Sequence, residues 1–108
     1  MFKANGSAIM RVCYVQSGGF IGAIKSCEVN TASLEQTEAE QVKRLVRDSG
    51  LEQSGNFLSD KARDQKQYEI TIEDETNAIC ITFDEHNIPE QARTLLDYLQ
   101  KHATPGKL

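Results

Sequence analysis

The sequence predicts an α+β fold: a four-stranded, mainly antiparallel sheet with two helices packed on one face, in the order ββαββα. Three observations predict it. Apolar and polar residues alternate strictly at 68–73 and again at 78–84, the period of strands with one buried face. Two other stretches, 39–49 and 92–99, repeat their apolar residues at helical spacing. A glycine-rich break, Ser17-Gly18-Gly19-Phe20-Ile21-Gly22, separates two further strand-like runs. Strands that are apolar on one face need a cover, and two amphipathic helices supply it.

The chain has 108 residues, enough for one domain with a real core but not for two. We expect a loose lead-in at 1–9, a single domain at 10–102 and a loose tail at 103–108. The first hairpin joins Met10–Gln16 to Ala23–Val29. In its first strand Met10, Val12 and Tyr14 share one face, and Arg11, Cys13 and Val15 the other. After a polar connection, Thr37 and Glu40 form a capping box, with Ser33 and Gln36 as a competing start. From Thr37, residues Ala39, Val42, Leu45, Val46 and Ser49 line one helical face. Gly50 stops the helix in the left-handed conformation and Leu51 clasps back onto Val46.

Residues 51–66 are polar, with Leu51, Phe57 and Leu58 as apolar islands. A structureless loop of that length is uncommon, so a short strand or helical turn pinned by Phe57 and Leu58 is expected there. The second hairpin sets Tyr68, Ile70 and Ile72 against Ile79, Ile81 and Phe83, with Asp74-Glu75-Thr76-Asn77 as its turn. The last helix starts at Pro89, where the missing N–H costs nothing, and buries Ala92, Leu95, Leu96 and Leu99.

Charge and composition exclude several functions. The net charge of −4, spread along the chain, disfavours nucleic acid and anionic membranes, which want a basic face. An acidic partner is equally disfavoured. No segment has the length of a membrane span, and the N-terminus lacks the apolar core of a secretory signal. Three widely spaced cysteines, none in a C-x-x-C pair, fit reduced thiols in a cytoplasmic protein. A first-hairpin register pairing residues whose numbers sum to 40 would set Cys13 opposite Cys27, close enough to oxidise.

Catalytic and metal patterns are weak. His86 and His102 are the only histidines, and Asp84-Glu85-His86 has no second histidine three or four residues away. With Pro89 close behind, it reads as a solvated strand-to-helix turn. Glu73-Asp74-Glu75 lacks the glycine and ligand spacing of a calcium loop and reads as a hairpin turn. Gly18-Gly19 lacks the spacing of a phosphate loop and precedes a strand. No cofactor and no metal are implied, and an enzyme built on Cys80 or His86 has no supporting spacing. What stands out is the loop: a turn needs no Phe20 or Ile21 at its tip. Those side chains either fold back onto the core or await a partner.

The pattern R-V-x-x-x-x-S-G-G-F-x-G-x-x-x-x-x-x-V, carried by Arg11-Val12, Ser17-Gly18-Gly19-Phe20, Gly22 and Val29, resembles the emfourin family. Downstream, Tyr68–Asp74, Ile81–Glu85, Ile88-Pro89 and Leu95–Leu99 agree with the family in order and spacing. The resemblance implies a small bacterial protein inhibitor of thermolysin-like (protealysin-type) zinc metalloproteases, which prefer a bulky apolar residue beside the cleavage site. With such a target, the loop Ser17, Gly18, Gly19, Phe20, Ile21 and Gly22 is expected to enter the cleft, and the segment around Phe57 to add a second contact, because one loop tip is too small for a stable interface. Without a thiolate or histidine pair for zinc, blockage of the cleft is expected rather than metal capture. The alternative is a non-catalytic module that uses the same loop or a sheet edge to hold another protein.

Overall fold

The computed structural model describes residues 9–18, 24–58 and 66–106. In chain order these form β1 (Arg11–Gly18), β2 (Lys25–Asn30), a 3-10 turn (Thr31–Ser33), α1 (Gln36–Asp48), β3 (Gly55–Phe57), β4 (Lys66–Glu73), β5 (Ala78–Asp84), a 3-10 turn (Glu90–Ala92), α2 (Arg93–His102) and β6 (Thr104–Pro105).

The expected α+β architecture with two helices is present, but the sheet is larger and mixed. It has six strands in the order β3-β5-β4-β1-β2-β6. Both predicted hairpins form, β1 with β2 and β4 with β5, and antiparallel pairing of β1 with β4 joins them. The two additional strands sit at the edges. β3 runs parallel to β5, and β6 pairs with β2 through Thr104 and Pro105, so the expected tail supplies a strand. β3, three residues long, is the short strand expected within 51–66; β6, two residues long, carries too little alternation to be read as a strand.

Register follows the buried face. Val12 lies opposite Val29 and opposite Ile72; Tyr14 lies opposite Cys27 and Ile70. Cys13 therefore faces Glu28, not Cys27, and all three cysteines are free. A shift by one residue, to the register that would pair the cysteines, would turn Cys27 and Val29 onto the open face. The loss of their burial decides against it. The core between sheet and helices comprises Val12, Tyr14, Ile70, Ile81, Phe83, Val42, Leu95 and Leu99, each 1% exposed or less, with Ile72 at 6%. Ile79, expected to be buried, is only half-buried, at the edge of this cluster.

The helix starts differ from expectation. α1 begins two residues earlier than a Thr37 cap would place it. Glu35 is its N-cap, with no side-chain cap bond, and its carbonyl accepts the Ala39 N–H at 2.8 Å. Ser33 belongs to the preceding 3-10 turn, and Leu34 packs against the core, fixing where the chain enters the helix. Pro89 is extended (φ −61°, ψ 133°) and caps a 3-10 turn, with α2 proper beginning at Arg93. The α2 stripe is as expected: Ala92, Leu95, Leu96 and Leu99 are buried.

The end of α1 depends on Gly50, at φ +74°. Ser49 closes the last turn by donating its hydroxyl to the Val46 carbonyl and accepting the Leu51 N–H at 3.2 Å. A methyl at position 50 would stand 2.6 Å from Gln91 Oε1, which can swing aside, but the backbone strain would remain. Gly50→Ala is thus expected to destabilise the fold by about 1–2 kcal/mol, measured as a lowered midpoint in urea; an unchanged midpoint would mean the turn relaxes.

Candidate protein-binding site

The helices cover one face of the sheet and leave the other open. Arg11 ties that open face together, donating from Nε to Glu73 Oε1 on β4 at 2.8 Å and from Nη1 to Glu28 Oε2 on β2 at 3.3 Å. These groups are exposed, so their contribution is to position rather than to stability. The turn at Asp74 is equally local: its carboxylate accepts the Thr76 and Asn77 N–H groups, each at 2.8 Å, which holds it below its ordinary pKa.

Ser17 and Gly18 end β1. Gly18 has φ +86° and lies beside Lys66, the first residue of β4. That left-handed conformation is one glycine adopts without strain, and it marks where the chain turns out of the strand. Gly19, Phe20, Ile21 and Gly22 lie outside the described residues. The connections out of β1 and into β4 meet the sheet at one end, and β3 runs toward that same end. The cross-strand row Phe57–Phe83–Tyr68–Gln16 shows this directly. Phe57 and β1 stand three strand spacings apart, roughly 14 Å.

Phe57 is 53% exposed, one of two large apolar side chains exposed to this degree among the described residues. It does not pin its segment as expected. The anchors are polar: Ser54 Oγ accepts the Cys80 N–H at 3.0 Å, and Asn56 Oδ1 accepts the Leu58 N–H at 3.3 Å. Phe57 instead lines a groove of about 460 Å³ with Leu51, Ile81 and Pro89. Beneath this end of the sheet, Tyr14, Tyr68 and Phe83 form a packed aromatic row, with ring centroids 6.4 and 5.8 Å apart. Whatever projects from that end projects from a rigid support.

Asp84 is the residue the sequence reading undervalued. The turn after it is exposed at Glu85 and His86, but Asp84 itself is fully buried. Its Oδ1 accepts the His86 N–H at 2.9 Å and the Asn87 side-chain N–H at 3.0 Å. It thus organises the strand-to-helix turn, and the spacing Asp-x-x-Asn before Pro89 was the available signal. Among the described residues, no three His, Cys, Asp or Glu side chains come together as a metal site.

The thiols are arranged for inertness. Burial raises the pKa of each, that of Cys27 to about 11, and Cys27 Sγ donates to the Leu99 carbonyl at 3.5 Å. Protonated thiols are poor nucleophiles. Iodoacetamide at neutral pH should therefore modify half-buried Cys13 and Cys80 before Cys27, by mass spectrometry, and leave protein binding intact. Loss of binding with an unchanged circular dichroism spectrum would contradict this.

The emfourin family model matches residues 14–100. This chain belongs to the emfourin family. Comparisons with curated proteins and with solved structures returned no match. The emfourin match runs from Tyr14 in β1 to Gln100 in α2, so it spans the Ser17–Gly22 loop and Phe57 and stops short of β6. No helix of this emfourin chain is, among the described residues, long and apolar enough to cross a membrane.

Proposed function

We propose that this chain is a non-catalytic inhibitor of a thermolysin-like zinc metalloprotease, with the loop Ser17–Gly22 entering the substrate cleft and Phe57 providing a second contact. Emfourin membership, which suggests metalloprotease inhibition, carries the reading. Two physical features support it. The strand that leads into the loop, β1, is held between β4 and β2 and contributes Tyr14 to the packed aromatic row, so the loop leaves from a firmly held strand and less ordering entropy is lost on binding. Phe57 is exposed on a strand that runs toward the same end of the sheet. A stable contact of about 1,600 Å² exceeds what one loop tip offers, and a second segment meets that need.

In this reading Phe20 or Ile21 fills the apolar pocket beside the cleavage site, and the glycines allow the loop backbone to lie close to the cleft. Burial of such a side chain is worth about 1.5–3 kcal/mol. The zinc is shielded rather than ligated. Steady-state kinetics of a thermolysin-like protease on a peptide substrate test this. Inhibition competitive with substrate is expected; binding without a change in apparent KM would favour a module that holds the protease outside its cleft.

A further inference from the structure

The edge of the sheet at β2 carries a second feature, independent of the loop. β6 covers β2 only at Lys25 and Ser26. The Gly106 N–H donates to the Ile24 carbonyl at 2.8 Å, whereas the Thr31 N–H donates to the Met10 carbonyl at 2.9 Å. In an antiparallel ladder both main-chain groups of a residue point to the same neighbour, and alternate residues point opposite ways. Ile24 and Ser26 thus face β6, Val29 and Thr31 face β1, and the N–H and C=O of Glu28 point outward past the end of β6. Among the described residues no main-chain group meets them.

On the helix side of this open edge lies a groove of about 470 Å³. Val29 and Leu34 form its apolar part; Glu38, Tyr98 and His102 form its polar wall. The Tyr98 hydroxyl donates to Glu38 Oε2 at 2.9 Å and fixes the carboxylate, whose other oxygen has no partner among the described residues. Burial and the Glu38 contact raise the Tyr98 pKa to about 12, so that donor is present throughout the physiological range. The Tyr98 ring is itself steadied by His102, at a centroid distance of 4.3 Å.

We propose that this edge accepts an extended peptide strand bearing a lysine or arginine, its main chain bonding to Glu28 and its basic side chain to Glu38. An exposed strand edge is a template for another strand, and alternate side chains of the added strand supply specificity. Charge selects the occupant. A second copy of this chain, with its net charge of −4, would bring two acidic edges together, and like charges facing across strands destabilise pairing. A basic side chain on the helix-facing side of an added strand meets the Glu38 carboxylate favourably, while the Glu28 carboxylate stays with Arg11 on the other face.

The test is a titration of the nitrogen-15-labelled full chain with acetyl-Thr-Val-Lys-Val-Thr-amide at millimolar concentration. The Glu28 amide should shift and exchange more slowly with solvent. The peptide with glutamate in place of lysine should bind at least about tenfold more weakly, as should the lysine peptide on Glu38→Gln, which keeps an acceptor for Tyr98. The proposal is overturned if the Glu28 amide does not respond, or if the two peptides bind wild type equally. It is also overturned if the same amide becomes protected without peptide as protein concentration rises, which identifies a second copy as the occupant.

Discussion

Replacing Leu95 by alanine is expected to destabilise the fold by about 2–5 kcal/mol. Leu95 is fully buried at the centre of the α2 stripe, in one cluster with Val12, Ile70, Ile81 and Phe83 from the sheet. The substitution removes apolar contact and leaves a cavity that a close-packed interface between helix and sheet fills only partly. A domain of this size is typically stable by about 5–15 kcal/mol, so much of the margin would go. Urea denaturation reads the effect directly; an unchanged midpoint would mean that α2 is not seated on the sheet by this face.

The parts of the fold that the sequence revealed are those where one local signal sufficed. Alternation at Tyr68–Ile72 and Ile79–Phe83 marked the second hairpin, and the leucines of α2 marked its buried side. The central pairing of β1 with β4 carried no such mark, since it depends on packing between residues 48 to 62 apart in the chain. The α1 start was misread because a good capping box at Thr37 competed with Leu34, whose packing on the core draws the helix entry earlier. Tertiary contact outweighed the cap. β6 was hidden by Pro105 and by its brevity, and with it the partly covered β2 edge.

Of the residues proposed for recognition, Ser17, Gly18 and Phe57 fall among the described ones. Gly18 and Gly19 before Phe20 and Ile21, and Gly22 after them, marked the loop in the sequence, and Gly18 is left-handed. For Phe57 the sequence showed an apolar residue on a polar background but not its exposure, because an apolar letter alone does not separate core from surface. The burial of Asp84 was missed for the converse reason: a charged letter in a polar turn reads as solvated.

The second large effect is expected at Phe20. If the loop fills the protease pocket, Phe20→Ala weakens inhibition at least tenfold, equivalent to about 1.4 kcal/mol. The folded state changes little, because the lost contacts are with the partner. A core phenylalanine would behave oppositely, with stability falling by about 3–5 kcal/mol and inhibition declining only as folded protein is lost.

The most direct test of the inhibitor reading is therefore one variant measured twice: the inhibition constant of Phe20→Ala against a thermolysin-like protease, and its thermal midpoint, each beside wild type. The account predicts micromolar or tighter inhibition by wild type, a rise of at least about tenfold in the variant's inhibition constant, and an unchanged midpoint. A lowered midpoint with inhibition lost only in proportion to unfolding, or a wild-type chain that leaves the protease unaffected at micromolar concentration, would contradict it.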